Sequence, residues 1–212
     1  MIINHILKKG KQDVTIQFDD EKFLILAFEV FLKSGLKKGD EISENRFSFL
    51  IEQNKLFHIK QRAFRLLGRR MHSASELRRK LWNKDHEQKL IDEVIKDLKK
   101  NGYLNDDEFI REFVAEKIKT KSWSNKKVKT ELLKRGIEYK LIDEMMKGHA
   151  SNSELENAMK LARKKYDQLI KKNLETKDLR NKLSAFLFSK GFEYDLIKEV
   201  CNSLINNEDD EF

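Results

Sequence analysis

The chain is 212 residues long, carries a formal net charge of +8, and is 39% hydrophobic and 38% charged, with no proline. This charged fraction leaves too little apolar surface for one large globule, and the absence of proline favours uninterrupted helices in an elongated or modular body. The longest apolar run, residues 23–32, contains Glu29 and is too short for a membrane span of about 20 residues, while the single cysteine excludes an internal disulfide and indicates a reducing cytoplasm.

Residues 1–52 carry strand and turn signals. The segments "IINHIL" and "VTIQF" flank the glycine-containing "KKGKQD", a combination that predicts a β-hairpin. An apolar stretch and the turn "GLKKGD" follow. We interpret residues 1–52 as a small α+β extension, which either shields the exposed end of the array behind it or forms a separate contact surface.

A sequence repeat organises the remainder of the chain. The stretch "KLIDEVI" (89–95) returns as "KLIDEMM" (140–146), and "LLKRGIEYKLIDEMM" (132–146) aligns with "LFSKGFEYDLIKEVC" (187–201). Extended outward, these alignments predict three tandem copies of one structural unit. They place three leucines at equivalent core positions, namely Leu81, Leu132 and Leu187.

Each copy has room for three amphipathic helices, because apolar residues recur at spacings of three and four. The predicted helices are residues 55–70, 74–83 and 87–100; 106–120, 125–135 and 138–147; and 152–172, 177–190 and 193–206. The copies are residues 53–103, 104–150 and 151–212, the last with an acidic tail. The predicted fold class is therefore mainly all-α, with three tandem three-helix repeats in an elongated curved array behind the α+β hairpin extension.

Capping signals support these helix boundaries. Ser73 with Glu76, and Ser151 with Glu154, have the spacing of a capping box. Glycine readily adopts the left-handed conformation that ends a helix. Three glycines are predicted to do so, namely Gly102, Gly136 and Gly191, whereas the first copy has Asp85 at the position of Gly136. After the first of these glycines, Asn105 is predicted to cap the next helix.

The sequence offers no candidate for catalysis. The histidines fall in different predicted elements without ligands at metal-binding spacing, and they are His5, His58, His72, His86 and His149. A phosphate-binding glycine loop, a nucleophile elbow and a CxxC motif are absent. Cys201 aligns with Met146 on an inward face and is interpreted as a buried, inert thiol. We therefore expect neither an enzyme nor a bound cofactor or metal.

Positive charge is concentrated in the middle of the chain. Residues 53–150 hold 25 Lys+Arg against 15 Asp+Glu, whereas each flanking segment has one more acidic than basic residue. The densest part is residues 55–80, where nine basic residues face a single acidic one, Glu76. This excess is larger than solubility requires and implies a negatively charged partner.

A helical wheel divides the basic cluster. Arg62, Arg65 and Arg69 fall together opposite the apolar stripe of the first helix and are predicted to contact the partner. Arg70 projects from the apolar stripe and is interpreted as structural, satisfying terminal carbonyls or pairing with Glu76. Two further arginines are predicted to open the next helix, where their charge would oppose the helix dipole, and these are Arg78 and Arg79. The second copy supplies the remaining candidates, Lys126, Lys127, Lys134 and Arg135.

Three stretches together resemble the RecX family of regulatory proteins, which modulate the RecA recombinase. They are "RAFRLLGRRMHSASELRRKL" (62–81), "VIKDLKKNGYLNDDEF" (94–109) and "ELLKRGI" (131–137). The N-terminal hairpin with "SGLKKGDEIS" resembles an extension found in some members. One departure is that Trp123 and Ser124 stand where the family often has Gly-Pro, although Ser124 can still cap the helix that follows.

The resemblance implies a regulator that binds the RecA–DNA filament along its groove and restrains filament growth, ATP hydrolysis and strand exchange in DNA recombination, repair and the SOS response. It implies a cytoplasmic monomer whose partners are the recombinase filament and the DNA within or beside it, without a membrane. Bridging of neighbouring subunits and capping of a filament end both remain open as modes of inhibition. The alternative is a sequence-independent DNA-binding helical-repeat protein whose basic face follows phosphates.

Overall fold

The computed structural model describes residues 1–82, 86–147 and 152–206. The chain folds into two compact units, Met1–Leu104 and Asn105–Phe212. Asp85, His149, the capping serine predicted at Ser151 and the acidic tail lie outside the described residues. Within those residues, every helix is too short or too polar to cross a membrane.

The first unit begins with a three-stranded antiparallel sheet in the order β1-β2-β3, formed by β1 (Ile3–Lys9), β2 (Asp13–Phe18) and β3 (Phe23–Ala27). The predicted hairpin is confirmed as β1 and β2. Alternate residues of β2 are buried because the pleat turns every second side chain toward the core. A short helix, α1 (Phe28–Ser34), follows β3 directly, so the apolar run of the sequence is divided between a strand and a helix.

The long helix α2 (Glu44–Leu67) connects the sheet to the first repeat. It begins at Ser43, whose side chain accepts a hydrogen bond of 3.2 Å from the amide of Arg46. This start is well before the predicted one near residue 55, because no helix-breaking residue stands between the cap and that position. Asn54 fixes α2 to the edge of the sheet by accepting a bond of 2.8 Å from the Ala27 amide and donating one of 3.1 Å to the Ile25 carbonyl.

The first repeat is completed by α3 (Ala74–Leu81) and α4 (Gln88–Lys100), which pack with the second half of α2 around one apolar core. The predicted cap at Ser73 is confirmed, since its hydroxyl accepts a hydrogen bond of 3.0 Å from the amide of Glu76. Gly102 has φ +74° and ends α4 as predicted. Asn105 then accepts a bond of 3.0 Å from the Asp107 amide and caps the next helix.

The second unit contains the second and third repeats, each with its own apolar core. Its helices are α5 (Asp106–Ala115), continued by a π-helical turn (Glu116–Thr120), then α6 (Asn125–Lys134), α7 (Tyr139–Met146), α8 (Asn152–Ile170), α9 (Thr176–Ser189) and α10 (Tyr194–Asn206). Gly136 and Gly191 have φ values of +73° and +86° and separate the second from the third helix of their repeats, as predicted. The predicted threefold repeat of three-helix units is thus confirmed.

Leu81, Leu132 and Leu187 are fully buried, each in the core of its own repeat. We expect replacement of each by alanine to lower the free energy of unfolding by about 2 to 5 kcal/mol, because a cavity is added to the lost transfer energy. Chemical denaturation measures the effect. Leu133→Ala is the matched control, since this neighbouring leucine is exposed and its replacement should change stability by less than about 0.5 kcal/mol. Equal losses at Leu132 and Leu133 would contradict the assignment of the core.

Candidate basic interface

The three arginines predicted to contact a partner lie at the C-terminal end of α2 and in the turn that follows it. Arg62 and Arg65 are on the helix, and Arg69 follows the C-cap residue Gly68. Arg65 and Arg69 are exposed and Arg62 is half-buried. In the part of the chain that the structure describes, none of the three guanidinium groups forms an ion pair or a hydrogen bond. Their charges are therefore available to a ligand.

The tip of the β1–β2 hairpin extends this basic surface. Lys11 lines a shallow cleft of about 440 Å³ together with His58 and Arg65 of α2, and Asp13 and Glu29 form its acidic part. Sequence reasoning missed Lys11, although the charge run "KKGK" in the predicted turn was a signal for it. The four residues Lys11, Arg62, Arg65 and Arg69 are called the α2 basic surface below.

Arg78 and Arg79 occupy the last turn of α3 rather than its first. The prediction that they open this helix is wrong, because the Ser73 cap starts the helix at Ala74. Positive charge at a helix C-terminus is favoured by the dipole, so these arginines contribute to folding. Arg79 is exposed and has no ion-pair partner among the described residues.

Arg78 instead forms part of an internal ion pair that recurs in the second repeat. Its Nε donates to Asp92 Oδ1 over 2.6 Å, and at the equivalent positions Lys129 Nζ donates to Asp143 Oδ1 over 2.9 Å. The hydrogen bond from Arg78 lowers the pKa of the Asp92 carboxyl, and that from Lys129 lowers the pKa of Asp143. Arg78 thus joins the second and third helices of its repeat.

Arg70 is a structural residue, as predicted. Its guanidinium binds both carboxylate oxygens of Glu76, one of them over 3.1 Å, and donates to the Met71 carbonyl over 2.8 Å. The Glu76 side chain is buried, and its charge is neutralised by Arg70 and by Lys80, whose Nζ lies 3.8 Å from Glu76 Oε1.

We expect Arg70→Glu to destabilise the protein by about 2 to 4 kcal/mol, because it places a second negative charge beside the buried Glu76 carboxylate. The midpoint of urea unfolding measures this loss. Arg69→Glu is the control. Arg69 is exposed and outside any ion pair of the described residues, so reversing its charge should leave the midpoint of urea unfolding nearly unchanged. Equal midpoints for the two variants would show that the Arg70–Glu76 pair adds nothing to stability.

Ser124 joins the second repeat to the third within the second unit. Its hydroxyl caps α6 by accepting a hydrogen bond of 3.1 Å from the Lys127 amide, as predicted, and also donates over 2.7 Å to the carbonyl of Gly191. The Ser124 amide donates to the Lys190 carbonyl over 3.2 Å. The start of α6 is therefore held against the turn between α9 and α10.

Lys126 and Lys127 contribute to the same junction. Lys126 Nζ pairs with Glu193 over 2.7 Å, and Lys127 Nζ donates to the Ser189 carbonyl. The Lys127 ammonium also lies 4.6 Å from the centre of the Trp123 ring. The structure therefore gives Lys127 an internal role, whereas the exposed Lys126–Glu193 pair is weak enough to exchange for a ligand.

Lys134 and Arg135 both contact Glu131 at the end of α6. Lys134 Nζ, on an exposed side chain, lies 2.9 Å from a carboxylate oxygen of the half-buried Glu131. Arg135 is half-buried, lies 3.7 Å from the other carboxylate oxygen and stacks 4.8 Å from the Phe113 ring centre. Of the second-repeat candidates, Lys126 and Lys134 thus keep exposed ammonium groups, while Lys127 and Arg135 are packed against the fold.

Metal ligation and thiol chemistry find no support in the described residues. No group of three or more His, Cys, Asp or Glu side chains is placed there to hold a metal ion. Cys201 is buried, as its predicted inward face requires, with its Sγ 3.5 Å from the Ser184 hydroxyl.

Three family models match consecutive parts of the chain. They describe the first, second and third three-helix domains of RecX and match residues 60–98, 105–146 and 152–201. Each match lies within one of the three repeats and includes at least part of each of its three helices.

Relatives named regulatory protein RecX are similar over nearly the whole chain. The protein of Clostridioides difficile (strain 630) is 30% identical, with 94% of this chain and 92% of the relative covered. That of Clostridium botulinum (strain Alaska E43 / Type E3) is 29% identical, with 96% and 95% covered.

Two solved structures share the fold. One, a crystal structure of regulatory protein RecX, gives a TM-score of 0.66 at 22% identity over 94% of this chain and 98% of that chain. The other, RecX from Lactobacillus salivarius, gives 0.57 at 22% identity over 72% and 97%. At this identity the likeness concerns the fold alone.

Proposed function

This chain belongs to the RecX family of regulatory proteins, and we propose that it binds the nucleoprotein filament of a RecA-type recombinase and restrains filament growth, ATP hydrolysis and strand exchange. The observation that carries the proposal is the α2 basic surface, whose arginines are without internal ion pairs in the described part of the fold. A cluster of this kind adds repulsion to the folded state. Its presence is explained by a partner that neutralises it.

Arginine suits such a partner because its planar guanidinium donates two parallel hydrogen bonds to a phosphate or a carboxylate. The filament offers both groups, as DNA phosphates and as acidic side chains of the recombinase. On this proposal the protein acts by binding rather than catalysis, as a cytoplasmic monomer that serves recombination, repair and the SOS response.

Retention on an assembled filament tests the proposal. Recombinase, single-stranded DNA and a slowly hydrolysed nucleotide are assembled on beads, and the retained protein is compared with that on DNA alone and on recombinase alone. We expect the assembled filament to retain much more protein than either component. Equal retention by DNA alone would contradict filament recognition.

A second candidate function is sequence-independent DNA binding, which the same arginines and Lys11 favour. Binding of this kind should weaken with salt at a log–log slope of about −0.9 per neutralised phosphate on duplex DNA and about −0.7 on single strands. It should not require the recombinase. Salt titration of DNA binding without recombinase therefore separates the two functions.

Two modes of restraint give different kinetics. If the protein bridges neighbouring subunits, ATP hydrolysis falls in filaments that are already complete. If it caps a growing end, hydrolysis in complete filaments is unchanged while extension stops. Addition of the protein before and after filament assembly therefore assigns the mode.

A further inference from the structure

An exposed apolar side chain recurs at one position of every repeat. Directly after the buried leucines of the three cores stand Trp82, Leu133 and Phe188, with exposed fractions of 60%, 44% and 72%. Each lies at or next to the end of the second helix of its repeat, α3, α6 or α9. We call these three residues the apolar anchors.

A second aromatic side chain accompanies the anchor in the two repeats of the second unit. Tyr139 and Tyr194 begin the third helix of their repeats and are 61% and 73% exposed. In both repeats the anchor stands just before the short turn between the second and third helices, and the tyrosine stands just after it. That turn therefore presents an apolar and an aromatic group to solvent.

Backbone hydrogen bonds hold the anchors of the second unit in place. The Leu133 carbonyl accepts from the Gly136 amide over 2.8 Å, and the Phe188 carbonyl accepts from the Gly191 amide over 2.9 Å. The adjacent buried leucines accept from Ile137 and Phe192, which closes the helix end in the same way in both repeats. Because the backbone is already ordered, little conformational entropy is lost when these side chains bind a partner.

Single exposed apolar residues are common on protein surfaces and need no explanation. The anchors differ because the same position is exposed and large in all three copies, although the fold gains nothing from an apolar group in water. Cations lie beside two of them: Arg79 is exposed one helical turn before Trp82, and Lys134, whose exposed ammonium pairs with Glu131, follows Leu133. The complementary surface is apolar with an acidic rim.

We propose that the apolar anchors dock into equivalent apolar, acid-rimmed pockets on the recombinase subunits of the filament. This inference rests on the proposed function and adds to it the protein surface that is recognised. A filament presents the same pocket on each of its subunits, which matches a chain that presents the same anchor on each repeat. Several weak contacts then add up on the filament, whereas a free subunit offers few of them.

Alanine variants at the anchors test this proposal. Trp82→Ala, Leu133→Ala and Phe188→Ala should each weaken filament binding about tenfold, as expected for an exposed side chain that fills a pocket at an interface. The triple variant should lose binding almost completely, with an unchanged melting temperature because the three side chains are exposed. Phe23→Ala and Leu32→Ala are matched controls, since these residues are 64% and 60% exposed in the first unit but lie outside the repeated position. Both controls should bind as wild type.

The outcomes distinguish this inference from the proposed function. Failure of the wild-type protein to bind the filament would overturn both. Binding of the triple variant at wild-type strength would overturn the docking proposal alone, as would an equal loss in Phe23→Ala. Binding of the triple anchor variant to DNA without recombinase is the third measurement. This binding should equal that of the wild type, and its loss would assign the anchors to stacking on bases instead of docking on the recombinase.

Discussion

The triple variant Arg62→Glu/Arg65→Glu/Arg69→Glu is expected to weaken filament binding by about a hundredfold or more at physiological salt, with a parallel loss of inhibition of the recombinase ATPase. The reason is electrostatic, since each substitution replaces an attraction with a repulsion at an interface, and like charges there cost several kcal/mol. The melting temperature should stay nearly unchanged, because the fold uses none of these guanidinium groups in an ion pair of the described residues.

Fluorescence anisotropy of labelled filament DNA and steady-state ATP hydrolysis measure the two effects. The control is Lys37→Glu/Lys38→Glu/Lys96→Glu, which changes the net charge equally at three exposed lysines of the same unit. If both triple variants lose binding alike, net charge rather than the α2 basic surface is responsible. If neither loses it, Arg79 and Lys11 become the next candidates, ahead of the second-repeat residues that are engaged within the fold.

Most helix boundaries could be predicted because their signals are local. Ser73, Asn105 and Ser124 cap the helices that they were expected to cap, and Gly136 and Gly191 separate helices as expected. Such signals depend on hydrogen bonds between residues that are close in sequence. They can therefore be recognised in a single sequence.

The N-terminal unit was less predictable because tertiary contacts decide it. The apolar run 23–32 has no clear period, and its first half becomes β3 only through pairing with β2. The early start of α2 is supported by Asn54, which bonds to backbone groups of β3 far away in the chain. These contacts between distant residues produce no periodic pattern of apolar residues in the sequence.

The same distinction applies to the candidate interface. Pairing of Arg70 with Glu76 could be predicted because the two are only six residues apart, one before and one after the Ser73 cap of α3. The bond from Lys127 to the Ser189 carbonyl and the stacking of Arg135 on Phe113 could not, because their partners come from other helices. Sequence identifies which residues are basic, whereas the fold decides which of them remain available to a partner.

Gly191→Ala is expected to destabilise the second unit by about 3 to 6 kcal/mol, the largest effect on stability of any substitution considered. Gly191 has φ +86°, where an alanine is strained by about 1 to 2 kcal/mol. Its Cβ would also lie only 2.6 Å from both the Ser124 hydroxyl oxygen and the Lys127 Cβ. Relief of this overlap costs about 1 to 3 kcal/mol and disturbs the hydrogen bond from Ser124 to the Gly191 carbonyl, worth about 1 kcal/mol more.

Gly102→Ala separates the contribution of the repeat junction from that of backbone strain. Gly102 has a similar φ of +74°, but an added Cβ there meets no atom within 4 Å, so only the strain of about 1 to 2 kcal/mol is expected. Urea unfolding of both variants measures the difference. The additional loss of stability in Gly191→Ala arises from the contacts of the new methyl group with Ser124 and Lys127. Adding Ser124→Gly to this variant should therefore recover part of the loss, because it removes the hydroxyl that the methyl group meets. Equal losses in Gly191→Ala and Gly102→Ala, with no recovery by Ser124→Gly, would show that the second and third repeats are not held together at this turn.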